Sequence, residues 1–360
     1  MTHITIGTHA DDAASPLRLD ARRFNRHTFW CGQSGSGKTY ALGVVLEQLL
    51  LHTELPMVII DPNGDYVRMR ETRPSVDPDV RERIRASDVR VFRAGAAAPN
   101  GARVRFADMT AASKAAVLQL DPIGDADEYN ALLSFEASAG AIEADTILDR
   151  LRSGSNPGWA RLAQRIENLQ ILDWDVWSRG GPCVVDAIDE RPRASVLDIG
   201  GFAHPAEPLV ASLAVLERLW VRRAERRPVL IVIDEAHNLC PPDVRSAVQA
   251  AITELLVQIA AEGRKFGLWL FLSTQRPTKI HPNVLAQCDN LGLMRVNSPR
   301  DLDELTQVFG FAPEELVRRS SSFRQGQALF AGSFIGEATV GQMGERLTQE
   351  AGSDVAVPLG

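Results

Sequence analysis

Residues 32–39 read GQSGSGKT and match the pattern GxxxxGK[ST]. The run 28–31 before them is apolar and strand-like, and residues 40–51 after them have the apolar spacing of a helix. A glycine-rich turn between a strand and a helix lets several backbone N–H groups point inward, toward phosphate oxygens. The segment therefore predicts a nucleoside triphosphate site on an α/β fold.

This loop also predicts the cofactors. In such a loop the lysine, here Lys38, reaches the β- and γ-phosphates, and the hydroxyl residue after it, Thr39, binds Mg²⁺. The chain has only four lysines against 35 arginines, so a lysine at this position is hard to explain as background. We expect ATP and Mg²⁺ as cofactors. The expected nucleotide contacts are Gly32, Gln33, Ser34, Gly35, Ser36, Gly37, Lys38, Thr39 and Tyr40.

Strand-like and helix-like runs alternate along the chain. The predicted strands are 4–6, 17–19, 28–31, 57–60, 89–92, 194–199, 229–233, 268–272, 327–331 and 338–340, and the predicted helices are 40–51, 207–223, 243–262 and one that opens at Ser298-Pro299. On the helix 243–262 we expect Val244, Val248, Ile252, Leu255, Leu256 and Ile259 to share one face. Such alternation predicts a mostly parallel sheet with helices on both faces.

The same pattern suggests a division of the chain. Residues 1–27 hold short N-terminal edge strands, and residues 28–107 and 182–345 form the α/β core. Residues 108–181 are rich in helical spacing without β-branched runs, so we expect a helical insertion there. Residues 346–360 are expected to be a C-terminal tail.

Acidic residues follow the most apolar predicted strand, 229–233. An acid at the end of a neighbouring strand binds the water shell of Mg²⁺ in such sites, and Asp234 is placed to do so. Glu235, the next residue, is placed to polarise the attacking water. Gln275 follows the strand 268–272 and could contact the γ-phosphate or that water. An adjacent acidic pair at a strand end could also be an ordinary helix cap.

An arginine commonly stabilises the charge of the phosphoryl-transfer transition state. The chain has no sign of a second nucleotide-binding domain that would supply one, so a neighbouring copy in a head-to-tail ring is the expected donor. The candidates are Arg264, at the end of the long helix, and Arg276, after the next strand. Arg264 could equally be a cation that offsets the helix dipole, and spacing alone leaves the two roles open.

Composition excludes several other classes of protein. The net charge of −7 argues against coating a polyelectrolyte, although a local basic channel remains compatible with it. The four cysteines are far apart and form no CxxC pair, so neither a disulfide framework nor a zinc site is predicted. No apolar run approaches the roughly 20 residues of a membrane span, and no secretory signal is visible. We therefore expect no membrane insertion and a cytoplasmic location.

Six segments together resemble the ATPase core of the HerA/FtsK superfamily, nearest to the HerA-type DNA translocases. They are Arg26-His27, GQSGSGKT at 32–39, DPNGDY at 61–66, LIVIDEAHNL at 230–239, EGRKFG at 262–267 and STQRP at 273–277. The resemblance covers roughly residues 15–340 and implies a RecA-like P-loop NTPase fold. It also implies that Gln275 senses the γ-phosphate, that Arg264 acts in trans as an arginine finger, and that Asp61 lies beside the catalytic centre.

The resemblance implies a homo-hexameric ring that hydrolyses ATP and moves double-stranded DNA through its pore. A nuclease or another effector is the expected partner, in DNA end processing or in defence against foreign DNA. Relatives carry an N-terminal β-barrel, for which the 27 residues before the core leave room only as a remnant. The alternative function is an ATPase that energises a conjugation-type, secretion-type or effector assembly without DNA translocation. The arginine-rich stretch 68–93 is either a solvated surface or part of a DNA-facing one.

Overall fold

The computed structural model describes residues 2–97, 99–139, 147–154 and 156–351, with side chains 136–139 left out. Within these ranges the strands are β1 His3–His9, β2 Pro16–Asp20, β3 His27–Cys31, β4 Met57–Asp61, β5 Val89–Arg93, β6 Ala194–Asp198, β7 Val229–Ile233, β8 Leu268–Thr274, β9 Cys288–Leu293, β10 Gln327–Gly332 and β11 Thr339–Met343. The α-helices are α1 Lys38–His52, α2 Pro78–Ala86, α3 Ala111–Val117, α4 Ala126–Ala139, α5 Ile147–Ser153, α6 Pro157–Asn168, α7 Val184–Asp189, α8 Glu207–Val221, α9 Ala247–Glu262, α10 Pro282–Leu285, α11 Pro299–Val308 and α12 Glu314–Arg319.

The strands form a single sheet in the order β2-β1-β11-β10-β9-β3-β8-β7-β4-β6-β5. The seven strands from β9 to β5 are parallel to one another, whereas β10, β11, β1 and β2 continue the sheet with antiparallel pairs. Parallel strands end at the same edge, so the loops after β3, β4, β7 and β8 lie side by side. The predicted mostly parallel α/β fold is confirmed.

Helices cover both faces of this sheet, as the alternation of side chains along β7 makes clear. Ile231 lies in the buried cluster that contains Leu256 of α9. Leu230 and Val232 lie in a second cluster, which contains Leu42 of α1. Because successive residues of a strand point to opposite faces, a strand buried on both sides has no polar alternation. This is why β7 is apolar throughout.

One central strand, β9, has no counterpart in the sequence prediction. Its sequence, CDNLGL, carries polar residues and a glycine in place of an apolar run. Asn290 is nevertheless buried, and its Nδ2 donates to Thr28 Oγ1 at 3.2 Å. At Gly292 a Cβ atom would lie 2.2 Å from the ring of Trp30. Both departures from an apolar strand pattern are therefore explained by contacts with the neighbouring strand β3.

The helix predicted at 243–262 begins later, at Ala247. Ser246 is its N-cap, and the Ser246 hydroxyl accepts the N–H of Gln249 at 3.2 Å. Val244 therefore lies before the helix and is 46% exposed, and the prediction that it shares a face of this helix was wrong. A serine three residues inside the predicted helix was the signal, because serine caps helices better than it continues them.

Helices α3 to α7 lie between β5 and β6 in the chain. Their buried residues Leu132, Leu162 and Val184 belong to the same cluster as Ile231 of the sheet. The division of the chain at 108–181 stays a prediction, and residues 140–146 and 155 of that stretch lie outside the described residues. The start of the predicted tail packs against α1, while residues 352–360 also lie outside the described residues.

Candidate nucleotide site

The loop 32–39 leaves β3 and ends in α1. Gly35 and Gly37 have φ angles of +73° and +89°, in the left-handed region that favours glycine. Gly37 directly precedes α1, so the free N–H groups of the first helical turn face the loop. The Ser36 N–H donates to Gln33 O at 3.1 Å, whereas Ser36 Oγ is buried without a hydrogen-bond partner. The loop is thus a concave anion site at a helix N-terminus.

The side chain of Lys38 is buried and points at the ends of the two neighbouring strands. Its Nζ donates to Asp234 Oδ1 at 2.6 Å and to Ser273 Oγ at 2.9 Å, and it lies 3.3 Å from Glu235 Oε1. Burial lowers the pKa of Lys38, but the charges of Asp234 and Glu235 outweigh it and raise that pKa overall. The ammonium group is therefore charged and ready to exchange carboxylates for phosphate oxygens.

Asp234 ends β7 and is the centre of a network of donors. Asp234 Oδ1 accepts from Lys38, from Ser273 Oγ at 2.7 Å and from the N–H of Glu235 at 2.9 Å. Tyr66 Oη lies 3.5 Å from its other oxygen. With the hydroxyl of Thr39 at the start of α1, these groups offer the hard oxygen ligands that Mg²⁺ prefers. The donor set therefore fits the magnesium ion expected from the sequence.

Glu235 is held in a left-handed conformation at φ +46°, which is uncommon outside glycine and typical of functional sites. Gln275 Nε2 donates to Glu235 Oε1 at 2.9 Å. His237 Nδ1 lies 3.3 Å from Oε2 but bonds Thr274 Oγ1 at 3.0 Å, so the buried Oε2 has no hydrogen-bond partner. Burial raises the pKa of Glu235, yet His237, Lys38 and Gln275 bring it to about 2. This carboxylate is ionised and can orient water through Oε2.

Asp61, which the sequence analysis placed among the catalytic candidates, is fully buried at the end of β4. Its carboxylate accepts three backbone N–H groups, from Asn63 at 3.2 Å, Asp65 at 3.1 Å and Tyr66 at 2.8 Å. Burial raises the pKa of Asp61 to about 7, although the Tyr66 and Asp65 bonds oppose this shift. The contacts of Asp61 are those of a residue that shapes the loop 62–66.

The same loop carries two residues that the sequence analysis did not single out. Burial, and then the charge of Asp234, raises the pKa of Asp65 to about 6. Tyr66 is fully buried with its hydroxyl toward Asp234. The signal was available in DPNGDY, because an acid and a tyrosine after a glycine turn at a strand end face the same edge as Asp234.

Arg264 lies far from this centre in its own chain. It sits in the turn Gly263–Phe266 between α9 and the first residue of β8, whereas Gln275 follows the last residue of β8. Seven strand residues at about 3.3 Å each separate the two edges of the sheet, or roughly 23 Å. Arg264 pairs with Asp289, whose carboxylate also lies 4.0 Å from Arg26 Nε. It cannot reach the phosphate loop of its own chain.

Two other arginines lie at the nucleotide edge. Arg276, the second finger candidate, is exposed beside Gln275, and its N–H donates to Thr274 Oγ1 at 3.0 Å. Arg295 follows β9 and was missed together with that strand. Its Nη2 donates to Gly35 O at 3.3 Å, and its own carbonyl accepts from the phosphate loop.

Comparison with known proteins shows a likeness to one family over part of the chain. The model of the family described as "Helicase HerA, central domain" matches residues 4–143. A DNA double-strand break repair helicase HerA from Sulfurisphaera tokodaii is 31% identical over 180 residues, which are 48% of this chain and 35% of the relative. The HerA of Pyrococcus furiosus is 19% identical over an alignment of 376 residues, with 92% of this chain and 68% of the relative covered. The N-terminal part of the chain therefore resembles the central domain of the HerA-type ATPases.

Solved structures agree with this HerA-type fold. VirB4 of Thermoanaerobacter pseudethanolicus superposes with a TM-score of 0.63 at 15% identity, covering 95% of this chain and 96% of that one. The bacterial conjugative coupling protein TrwBΔN70 gives a TM-score of 0.59 at 13% identity over 96% and 88% of the two chains. At these identities the likeness concerns the fold. Matches to the curated relatives cover 20% to 68% of their length.

Proposed function

We propose that this chain is a HerA-type ATPase, which hydrolyses ATP at the centre formed by Lys38, Asp234, Glu235 and Gln275. The phosphate loop binds the phosphates through its N–H groups, and Lys38 moves from the carboxylates to the β- and γ-phosphates. Thr39 and Asp234 are the residues that would hold Mg²⁺, and the charge of the ion would offset the charge of the transferred phosphate. The supporting observation is the contact network, with Lys38 at 2.6 Å from Asp234 and Gln275 at 2.9 Å from Glu235.

Water activation falls to Glu235 and Gln275 in this proposal. A carboxylate with a pKa of about 2 keeps no proton at neutral pH, so Glu235 orients and polarises water instead of storing its proton. The Gln275 amide, held on the other oxygen of the same carboxylate, is free to turn toward the γ-phosphate once it arrives. Lys38, Glu235 and Gln275 thus act as one unit.

The same proposal requires a ring. Arg264 lies on the opposite sheet edge from Gln275, so it can stabilise the transition state only at the nucleotide of a neighbouring copy. Head-to-tail contact between identical subunits closes into a ring, and we infer a homo-hexamer. Arg276, exposed beside Gln275, is the alternative finger.

Double-stranded DNA is the proposed cargo of this ring, with a nuclease or another effector as partner in end processing or defence. The curated relatives carry names of DNA double-strand break repair helicases, which supports this proposal. Several arginines of the stretch 68–93 bond their own chain, which favours a structural role for them over DNA contact. Arg81 Nη2 donates to Pro74 O and Val76 O, and Arg83 Nη2 donates to Leu51 O.

The cytoplasm is the proposed location. Across the described residues, every helix is too short or too polar to cross a bilayer. The fold is shared with VirB4 and the TrwB coupling protein. The second candidate function is therefore an ATPase that energises an assembly without moving DNA. The two candidates differ in whether turnover responds to DNA.

Phosphate release measured with and without linear duplex DNA tests the proposal. We expect turnover that rises with duplex DNA, together with displacement of a triplex-forming strand as the motor advances. Glu235→Gln should bind ATP without hydrolysing it, and it serves as the inactive control. A rate of phosphate release that is the same with and without any nucleic acid would overturn the motor function in favour of an assembly ATPase. An absence of turnover under all conditions would overturn the proposed enzyme.

A further inference from the structure

An open cleft of about 570 Å³ continues from the phosphate loop away from the catalytic carboxylates. Asp234 and Gln275 follow β7 and β8, which lie on one side of β3. The rest of the cleft is lined from the other side, by the segments around β10 and β11. Since Lys38 and the carboxylates mark the γ-phosphate end, the nucleoside end of a bound nucleotide extends toward β10 and β11.

The wall on that side is a segment we call the C-terminal strap, residues 344–350. It follows β11 and lies against α1, where Glu47 binds it at four points. Glu47 accepts from Arg346 Nε at 3.1 Å, from Leu347 N at 2.7 Å, and from Thr348 N and Oγ1 at 3.1 and 2.5 Å. Both Glu47 and Arg346 are almost completely buried, so the strap packs as an integral part of the fold.

The strap is also joined to the first turn of α1. The N–H of Arg346 donates to Tyr40 Oη at 2.7 Å. The guanidinium of Arg73 lies 5.4 Å from the centre of the Tyr40 ring, and Arg73 Nη2 lies 3.7 Å from Glu350 Oε1. These contacts hold the strap backbone against Tyr40, two residues after Lys38. The ribose of a nucleotide whose phosphates bind Lys38 lies beside this part of the strap.

Two carboxylates of the strap, Glu345 and Glu350, are the acidic residues among those that line the cleft. Both are exposed to it. A carboxylate accepts hydrogen bonds and donates none, so it suits neighbouring hydroxyl groups and repels phosphate. Ribose carries two such hydroxyls, and an acidic residue on a ribose hydroxyl is a recurrent arrangement in nucleotide sites.

The geometry points to Glu345 and Glu350 as the residues that bind the ribose 2′- and 3′-hydroxyls, so that the site selects ribonucleotides over deoxyribonucleotides. This inference rests on the proposed nucleotide binding and adds to it which sugar is recognised. A motor that works on DNA in the presence of deoxynucleotides gains from such selection. The strap is held by Glu47 before any nucleotide binds, so little ordering cost is left for the ligand.

Calorimetric titration of the full chain with ATP, 2′-deoxy-ATP and 3′-deoxy-ATP tests this inference, with Mg²⁺ present and Glu235→Gln as the background that prevents hydrolysis. We expect ATP to bind about tenfold more tightly than either deoxy form, because each lost hydroxyl removes a charge-assisted hydrogen bond. Glu345→Gln and Glu350→Gln together should weaken ATP by about a hundredfold and each deoxy form, which keeps one hydroxyl, by about tenfold, so that most of the preference for ATP is lost. Binding of the deoxy forms that is weakened but still measurable also shows that the variants are folded.

The matched control is Glu337→Gln, an exposed acid in the turn between β10 and β11 that does not line the cleft. It should keep the wild-type preference for ATP. Equal binding of ATP and both deoxy forms by the unmodified strap would overturn the inference while leaving nucleotide binding intact. Equal loss of all three nucleotides in the strap variants would overturn it as well. Loss of binding in Lys38→Ala separates the phosphate site from the ribose site.

Discussion

Lys38 Nζ lies 2.6 Å from Asp234 Oδ1, a buried ion pair that joins the phosphate loop to the end of β7 across 196 residues of sequence. Other carboxyl groups surround this pair. Glu235 Oε1 lies 3.3 Å from Lys38 Nζ. Burial, and then the charge of Asp234, raises the pKa of nearby Asp65 to about 6. The ammonium group therefore holds several carboxylates together until phosphate replaces them. Removing it leaves the carboxylate of Asp234 without its ion-pair partner.

Lys38→Met should lower the free energy of unfolding of the nucleotide-free protein by about 3 kcal/mol, because it leaves the buried carboxylate of Asp234 unpaired. Urea unfolding at pH 7 measures this change. Lys279→Met is the matched control, since Lys279 is exposed and should be nearly neutral. Equal stability of wild type and Lys38→Met would mean that the ion pair contributes nothing to the fold.

Glu235→Gln should reduce the hydrolysis rate by roughly a hundredfold or more while ATP binding persists, because the amide cannot polarise water as a carboxylate does. Single-turnover hydrolysis and equilibrium binding measure the two effects separately. Gln275→Ala should lose less, since it removes a partner of Glu235 and leaves the carboxylate. Wild-type turnover in Glu235→Gln would contradict the role given to this residue.

The pKa of Glu235 makes a second, pH-dependent prediction. Its folded pKa of about 2 lies below the ordinary value of 4.5, so its ionised form stabilises the folded protein above pH 4.5. This stabilisation is lost as the pH falls from 4.5 through about 2. Glu235→Gln should therefore be less stable than wild type at pH 6, with the gap shrinking at pH 3. Urea midpoints at both pH values measure it, and a gap that is constant with pH would contradict the pKa.

Arg264 offers a test across subunits. Arg264→Ala should lower turnover roughly a thousandfold, as loss of an arginine finger does. Blending it with the equally inactive Lys38→Ala should restore part of the activity, because mixed rings contain interfaces with both residues intact. Blends of Arg276→Ala with Lys38→Ala provide the comparison for the alternative finger. If no ratio of Arg264→Ala to Lys38→Ala recovers turnover, Arg264 does not act in trans.

The buried pair of Glu47 and Arg346 can be tested by a double-mutant cycle. Glu47→Gln should destabilise the protein by about 3 kcal/mol, because Arg346 then keeps a buried charge without its partner. Glu47→Gln combined with Arg346→Met should cost clearly less than the sum of the two single changes. Additive costs, measured by urea unfolding, would show that the pair is not coupled.

Much of the candidate site was predictable because its parts are local in sequence. Gly37 needs a positive φ before α1, and Lys38 follows it directly, so the loop carries its own conformation. Asp234 and Glu235 sit at the end of an unbroken apolar strand, which a parallel sheet must bury. Parallel strands end at one edge, and the contact between Gln275 and Glu235 follows from that rule.

The elements that the sequence did not reveal depend on contacts between distant residues. Gly292 in β9 reads as a strand breaker, yet it is required because the ring of Trp30 occupies the space of a side chain. Arg346 reads as part of a polar tail, yet it is buried because Glu47, 299 residues away in sequence, neutralises it. A sequence pattern indicates which residues of a segment are polar and are expected to face solvent. Which distant residues pack against that segment is decided only in the folded chain. A charge can be buried only where such a residue pairs with it.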